Sequence, residues 1–199
     1  MLDKIKQFFG GNMPLIQKGI GGKVSISANI KTFWLASWIK EDSVELNAIR
    51  HFLRTKDKEL FKDLVDRGII LNFAQTKNII VTVGRQVLAE RLAGGITYTG
   101  EINYGALGTG TATPLNTDTV LDTEVFRKIA ASQTFDENIV YIDFFFTAPE
   151  IAGTFEEFGN FIDGSPAVDT GQLFSHILTG GWVKSFSESL FVSCQYTIN

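Results

Sequence analysis

The chain has 199 residues, 44% hydrophobic and 20% charged, with 19 glycines, 17 phenylalanines and only 4 prolines. That is enough apolar material for a packed core, it argues against a disordered chain, and the length suits one large domain or two small ones. The net charge of −4 conceals a split, because residues 1–100 carry 15 Lys and Arg against 9 Asp and Glu while residues 101–199 carry 3 against 13, and such halves present differently used surfaces, either as two solvated faces or as subunits packing basic half against acidic half.

Leu2, Ile5, Phe8 and Phe9 fall at helical spacing and Gly10-Gly11 ends the run. This predicts a short amphipathic arm, too short and too charged for a secretory signal, that docks on a neighbouring part of the protein or on a neighbouring subunit. No window of 18 apolar residues exists to cross a membrane as a helix. Gly19 to Gly22 reads as a joint. Lys23 to Ile30 then alternates, with Val24, Ile26, Ala28 and Ile30 on one face, which is a strand pattern. Phe33 to Ile39 continues as an aromatic stretch. Trp34 and Trp38 there suit core or interface packing better than a sugar-stacking platform.

Asp42-Ser43-Val44-Glu45 has the form of a capping box with Asp42 as N-cap, and Leu46, Ile49, Phe52 and Leu53 predict a helix to about Arg54. A second helix is expected from about Thr55–Asp57, with Leu60, Phe61, Leu64 and Val65 on its apolar face and Arg67-Gly68 as its end. The mixed charges of residues 54–67 describe a solvated helix face and not a nucleic-acid patch. Residues 69–73 and 78–83 are apolar runs of strand-like or partly helical type. Gly84 to Gly95 predicts a helix of about two turns that packs Val87, Leu88 and Leu92.

From Ile96 the pattern becomes β. Ile96–Thr99 and Ile102–Gly105 alternate, and Ile139 to Phe146 is apolar on both faces, as in a strand covered on both sides. Leu173–Leu178 is a further strand, Gly180-Gly181 a turn, and in the last run Leu190, Val192, Cys194, Tyr196 and Ile198 share a face. The expected fold is α+β: a mainly antiparallel β-sandwich or barrel-like domain preceded by a mixed segment with helices. The expected organisation is an N-terminal arm (1–22), a mixed α/β segment (23–95) and an antiparallel β-domain (96–199).

Residues 105–114, Gly-Ala-Leu-Gly-Thr-Gly-Thr-Ala-Thr-Pro, mark the change of character. Gly105 and Gly110 have the spacing of a phosphate-binding loop, but Thr111 stands where the lysine is required and Thr113-Pro114 prevents a following helix. A turn-rich connector between strands is the better reading.

Catalytic candidates are few. His51 and His176 have no second ligand at metal spacing. A Cys194/His176 pair would use a thiol on the apolar face of the last strand, where it is inert. Glu156-Glu157, with Asp143 or Glu150, would be the acids of a glycoside hydrolase. Asp122, Asp163 and Asp169 form no EF-hand loop. Glu124 and Arg127, three apart, make either a weak exposed pair or a buried one that fixes geometry. The expectation is therefore a protein that is not an enzyme, with no catalytic, cofactor-binding or metal residues and no cofactor.

The order of residues from about 78 to 199 resembles a β-rich module of tailed-bacteriophage virion proteins. It is carried by Val83-Gly84-Arg85, Leu88-Ala89 and Leu92-Ala93-Gly94, then by Ile102 through Pro114. Asp118-Thr119-Val120-Leu121, Glu124, Arg127, Glu157-Phe158-Gly159 and Phe161 continue it. Lys184-Ser185, Leu190-Phe191-Val192 and Tyr196-Thr197-Ile198 close it. Residues 1–77 lie outside the resemblance. It implies a non-enzymatic structural part of a virion: a capsid decoration or head-fibre protein, or a tail or neck component. Its partners would be other virion proteins and copies of itself in a symmetric homo-oligomer, with no nucleic acid and no membrane. Its place would be the virion, after assembly in the host cytoplasm. The alternative is a receptor- or carbohydrate-binding module of a tail fibre or baseplate, using Trp34, Trp38 and Trp182.

Overall fold

The structure, a computed structural model, describes residues 25–199. The arm and the glycine joint expected before residue 23, and Val24, lie outside the described residues. Strand β1 (Ile26–Ala36) is followed by helices α1 (Val44–Thr55) and α2 (Lys58–Asp66) and by strands β2 (Ile70–Lys77) and β3 (Ile79–Ile80). Helix α3 (Thr82–Leu92) leads into β4 (Ile102–Gly108), β5 (Glu124–Ile129), β6 (Ser132–Asp136), β7 (Ile139–Phe146), β8 (Gly153–Ile162), β9 (Gln172–Lys184) and β10 (Glu188–Ile198).

The strands form two five-stranded antiparallel sheets, β2-β1-β10-β7-β6 and β3-β9-β8-β4-β5. The expected sandwich is thus present. Strands from the segment before residue 96 enter both sheets, with β1 between β2 and β10 and β3 on β9.

Period-two alternation explains the layers. Ile30, Trp34, Phe144, Phe146, Leu190, Val192 and Cys194 point inward from the first sheet and meet Leu107, Phe158, Phe174 and Trp182 of the second. The intervening residues Phe33, Leu35, Phe145 and Phe191 point outward and are covered by Leu46, Ile49, Phe52, Phe61 and Leu64 of α1 and α2. This is why β7 is apolar on both faces: Phe144 and Phe146 serve the inter-sheet core, and Phe145 serves the helices. Each such buried side chain contributes about 1.5–3 kcal/mol of transfer free energy. Across the core the Tyr196 hydroxyl reaches Ser175 Oγ (2.8 Å) and the Asn160 amide, a polar knot between the sheets.

Several local expectations are corrected. The cap of α1 is Ser43, whose Oγ accepts from Leu46 N–H at 3.2 Å, rather than Asp42. Ile96–Thr99 is irregular and not a strand. Thr97 N–H donates to Glu90 Oε1 (2.7 Å) and Thr99 N–H to Asp163 Oδ2 (2.9 Å), so side chains satisfy the backbone that a neighbouring strand would. Gly180-Gly181 does not end a strand. β9 runs through both glycines, at φ +71° and +83°, and the pairing skips from Phe155↔Trp182 to Glu157↔Leu178. This is a bulge that only residues tolerating left-handed backbone form cheaply. Leu92, expected to pack, is exposed. Polar β6 had no apolar pattern to announce it.

Candidate functional site

On the outer face of the second sheet the order β9-β8-β4 sets three positions side by side. Gly108 pairs with Glu157, and His176 pairs with Gly159, two residues further along β8. Glu157 is fully buried. Its Oε1 accepts from the N–H groups of Gly110 (3.1 Å) and Thr123 (2.7 Å). Its Oε2 accepts from Asp122 N–H (2.9 Å) and lies 2.9 Å from His176 Nε2. The other ring nitrogen, Nδ1, lies 2.9 Å from Asp118 Oδ2. The same Asp118 oxygen accepts from Leu115 N–H (2.8 Å).

The Gly/Thr connector is therefore folded around a carboxylate. A buried charge must be paired or hydrogen-bonded, and here both ends of the loop supply donors. A side chain at Gly108 or Gly110 would run into Glu157 itself. Those glycines are present for close approach of backbone to a carboxylate and not to a phosphate. Leu121 drops from the loop into a small apolar cluster with Val81, Ala106, Phe161 and Leu173.

A second buried charge works in the same way. Arg127 makes a two-pronged pair with Glu124, Nε to Oε1 at 2.5 Å and Nη2 to Oε2 at 2.6 Å, and both side chains are almost wholly buried. Its Nη1 donates to the carbonyls of Ser165 (3.1 Å) and Thr170 (2.9 Å), and its plane lies over the Phe161 ring at 4.6 Å. Of the two possibilities for this pair, burial holds, and the fork fixes the 164–170 loop. Lys184 is a third. Its buried Nζ donates to the carbonyls of Ala148 (3.1 Å), Ile151 (2.7 Å) and Ser185 (3.3 Å), and burial lowers its pKa below the ordinary lysine value.

Beside the first loop is an open cleft of about 420 Å³, walled by Thr113, Thr117, Asp118, Asp122 and His176. A general base needs a ring nitrogen free to take a proton from a bound group. Both nitrogens of His176 already face carboxylates, and the ring can donate to both only as imidazolium. Among the described residues no group of three or more His, Cys, Asp or Glu is arranged to hold a metal ion.

The other sequence candidates are dispersed. Cys194 sits in the inter-sheet core, where burial pushes its thiol up to about 12, and His176 is on the opposite face of the other sheet with its own partners. Asp143 is on the outer face of the first sheet, its Oδ2 accepting from Arg50 Nε at 3.1 Å, and burial raises its pKa. Glu150 is bonded to Lys128 and to Thr147 N–H. Of the acids considered for glycoside hydrolysis, Asp143, Glu150 and Glu157 thus have separate partners, and Glu157 is sealed from solvent. Asp163 accepts from Thr99, and Asp122 offers its backbone to Glu157. Trp34 and Trp182 are buried edge to face, 6.3 Å between ring centroids, and only Trp38 of the three tryptophans is exposed. The helix α1 residue His51 is exposed.

Sequence reading missed the role of Glu157. The signal present was a carboxylate between Phe155 and Phe158 on a strand whose neighbours were glycine-rich. No protein-family model, curated protein or solved structure matches this chain. Among the described residues no helix is long and apolar enough to cross a membrane.

Proposed function

We propose that this chain is a non-enzymatic structural protein of a bacteriophage virion that works by subunit–subunit binding, either capsid-associated as a decoration or head-fibre protein or as a tail or neck component. One observation carries the reading. Of the six charged residues through which residues 78–199 resemble such a module, four, Glu124, Arg127, Glu157 and Lys184, have buried side chains, and the last three bind loop backbone, while Asp118 is half-buried and Arg85 exposed. Charges used in this way hold loops in fixed shapes on a rigid sandwich. A subunit of a symmetric assembly needs such shapes, because each copy must present the same surface to its neighbours. The buried histidine, His176, has both ring nitrogens facing carboxylates of the same framework, Asp118 and Glu157.

Quantitative mass spectrometry of purified particles, with light scattering of the isolated protein, tests the proposal. Hundreds of copies per particle assign a capsid or tail-tube role, and a few to about a dozen a neck, baseplate or fibre role, as expected of closed rings. A strictly monomeric protein absent from particles refutes it.

A further inference from the structure

Strand β5 ends the second sheet, bonded to β4 on one side and, among the described residues, to no strand on the other. An open edge of this kind is a template for another strand, and proteins commonly blunt it with exposed charge, proline or brevity. The other three edges are blunted: β3 has two residues, β2 exposes Asn72, Gln75 and Lys77, and β6 reads Ser-Gln-Thr-Phe-Asp. β5 has no proline, and its charges are spent within the chain, Glu124 on Arg127 and Lys128 on Glu150. What it shows to solvent is apolar, with Ile129 58% and Val125 43% exposed.

The hydrogen-bond phase of β5 shows which of its main-chain groups are available. Ala130 N–H donates to the Asn103 carbonyl at 2.9 Å. Bonded residues alternate along an antiparallel ladder, so Lys128 and Phe126 also turn their main chain toward β4, while Arg127 and Ile129 turn theirs away from it. The register shift between Leu107 and Gly108 adds one residue at the start of β5. A regular ladder is therefore open to a partner beyond Val125, and Val125 offers its side chain.

We propose that β5 pairs antiparallel with β5 of a second copy, across a two-fold axis at Arg127, and joins the two second sheets edge to edge. A two-fold axis makes a strand its own antiparallel partner. Centred on Arg127, it sets Val125 of each copy opposite Ile129 of the other, so the exposed apolar side chains of the strand cover one another, and the outward main-chain groups of Arg127 gain partners. Centred on Lys128 it would oppose two lysines, which is unfavourable. The two Arg127 side chains do not repel at the axis, because each is neutralised by its fork to Glu124 and lies back over Phe161. A strand this short makes a small interface, under about 1,200 Å², and a dissociation constant on the order of tens of micromolar. The pairing gives the subunit binding proposed above its surface, and it rests on that reading.

Sedimentation velocity of the full chain from about 1 to 300 µM, with residue-resolved hydrogen exchange at both ends of the range, tests it. The wild type is expected to pass from monomer to dimer. As it does so the Arg127 and Ile129 amides are expected to slow by about tenfold or more, while the Lys128 amide, already bonded to β4, stays unchanged. Val125→Lys/Ile129→Lys sets like charges opposite and is expected to weaken the dimer by about tenfold or more. Val125→Lys/Ile129→Glu sets opposite charges across the axis and is expected to dimerise within about threefold of wild type, more weakly in high salt. Urea midpoints check that both variants fold, and the wild-type exchange decides if either does not. A wild type that stays monomeric, association indifferent to the lysines, a folded charge-swapped variant as weak as the lysine pair, or Arg127 and Ile129 amides already protected in the monomer overturns the pairing. A chain monomeric here yet abundant in purified particles sinks the β5 pairing and leaves the virion reading standing, and a β5 dimer absent from particles does the reverse.

Discussion

Replacing Glu157 by Gln removes one charge, keeps the shape, and tests whether this carboxylate holds the Gly/Thr loop. Each oxygen serves two partners: Gly110 and Thr123 N–H at Oε1, Asp122 N–H and His176 at Oε2. An amide has one oxygen, so whichever way it turns, its NH₂ faces groups that were donating. With the NH₂ toward His176 the ring can become an acceptor, but Asp122 N–H stays orphaned and the surviving bonds lose their charge assistance. Hydrogen bonds to charged groups are worth about 1.5–3 kcal/mol each, and the net expectation is a loss of about 3 kcal/mol. For a chain of this size that lowers Tm by about 6–12 °C. Urea denaturation measures the loss, and native-state hydrogen exchange at Gly110, Asp122 and Thr123 locates it. Glu156→Gln, the neighbouring residue outside the cluster, should change stability by no more than about 0.5 kcal/mol. A loss under about 1 kcal/mol for Glu157→Gln, with unchanged exchange at those three amides, would refute the reasoning.

Arg127→Lys keeps the charge but loses the fork to Glu124 and the flat contact with Phe161, and should cost about 2–3 kcal/mol in urea denaturation; a neutral result would show the fork to be dispensable. Lys31, buried beside Lys56 under the helices, has its pKa lowered to about 7, first by burial and then by the Lys56 charge. The unfolded chain therefore binds more protons between about pH 7 and the ordinary lysine value, so stability rises with pH through that window and the cost of burying the charge is fully present below it. Lys31→Met should be more stable than wild type near pH 7 and flatter above it, and equal pH slopes for the two proteins in urea titrations would exclude the effect. Cys194, pushed up to about 12 by burial, should resist alkylation at pH 8 until the protein unfolds, and rapid labelling of the native chain would contradict its placement.

Much of the scaffold was legible because burial has a local period. Alternation marked β1, β7 and β10, and the two-faced apolarity of Ile139 to Phe146 correctly implied cover on both sides. A 3.6-residue stripe marked α1 and α2, and Gly68, at φ +69°, ended the latter as expected. Local chemistry failed where two residues compete for one role, as Asp42 and Ser43 did for the cap. It failed again where side chains replace a strand partner, as at Thr97 and Thr99. β6, a polar edge strand, carries no periodic signal because one of its sides has nothing to bury against.

The sequence by itself determined most of the strands and helices, the burial of the Cys194 thiol and the connector character of residues 105–114, because each depends on neighbours a few positions away. Only the tertiary structure decided what that connector surrounds. Glu157 meets His176 from 19 residues away, and His176 meets Asp118 from 58. Those meetings follow from the strand order β9-β8-β4 and its register. The tertiary structure likewise decided between an exposed and a buried pair for Glu124 and Arg127, and the packing of one sheet on the other placed Trp34 against Trp182 in the core. A carboxylate's partners are chosen by which backbone amides the fold leaves unpaired beside it, and that choice is made between strands, where no local spacing records it.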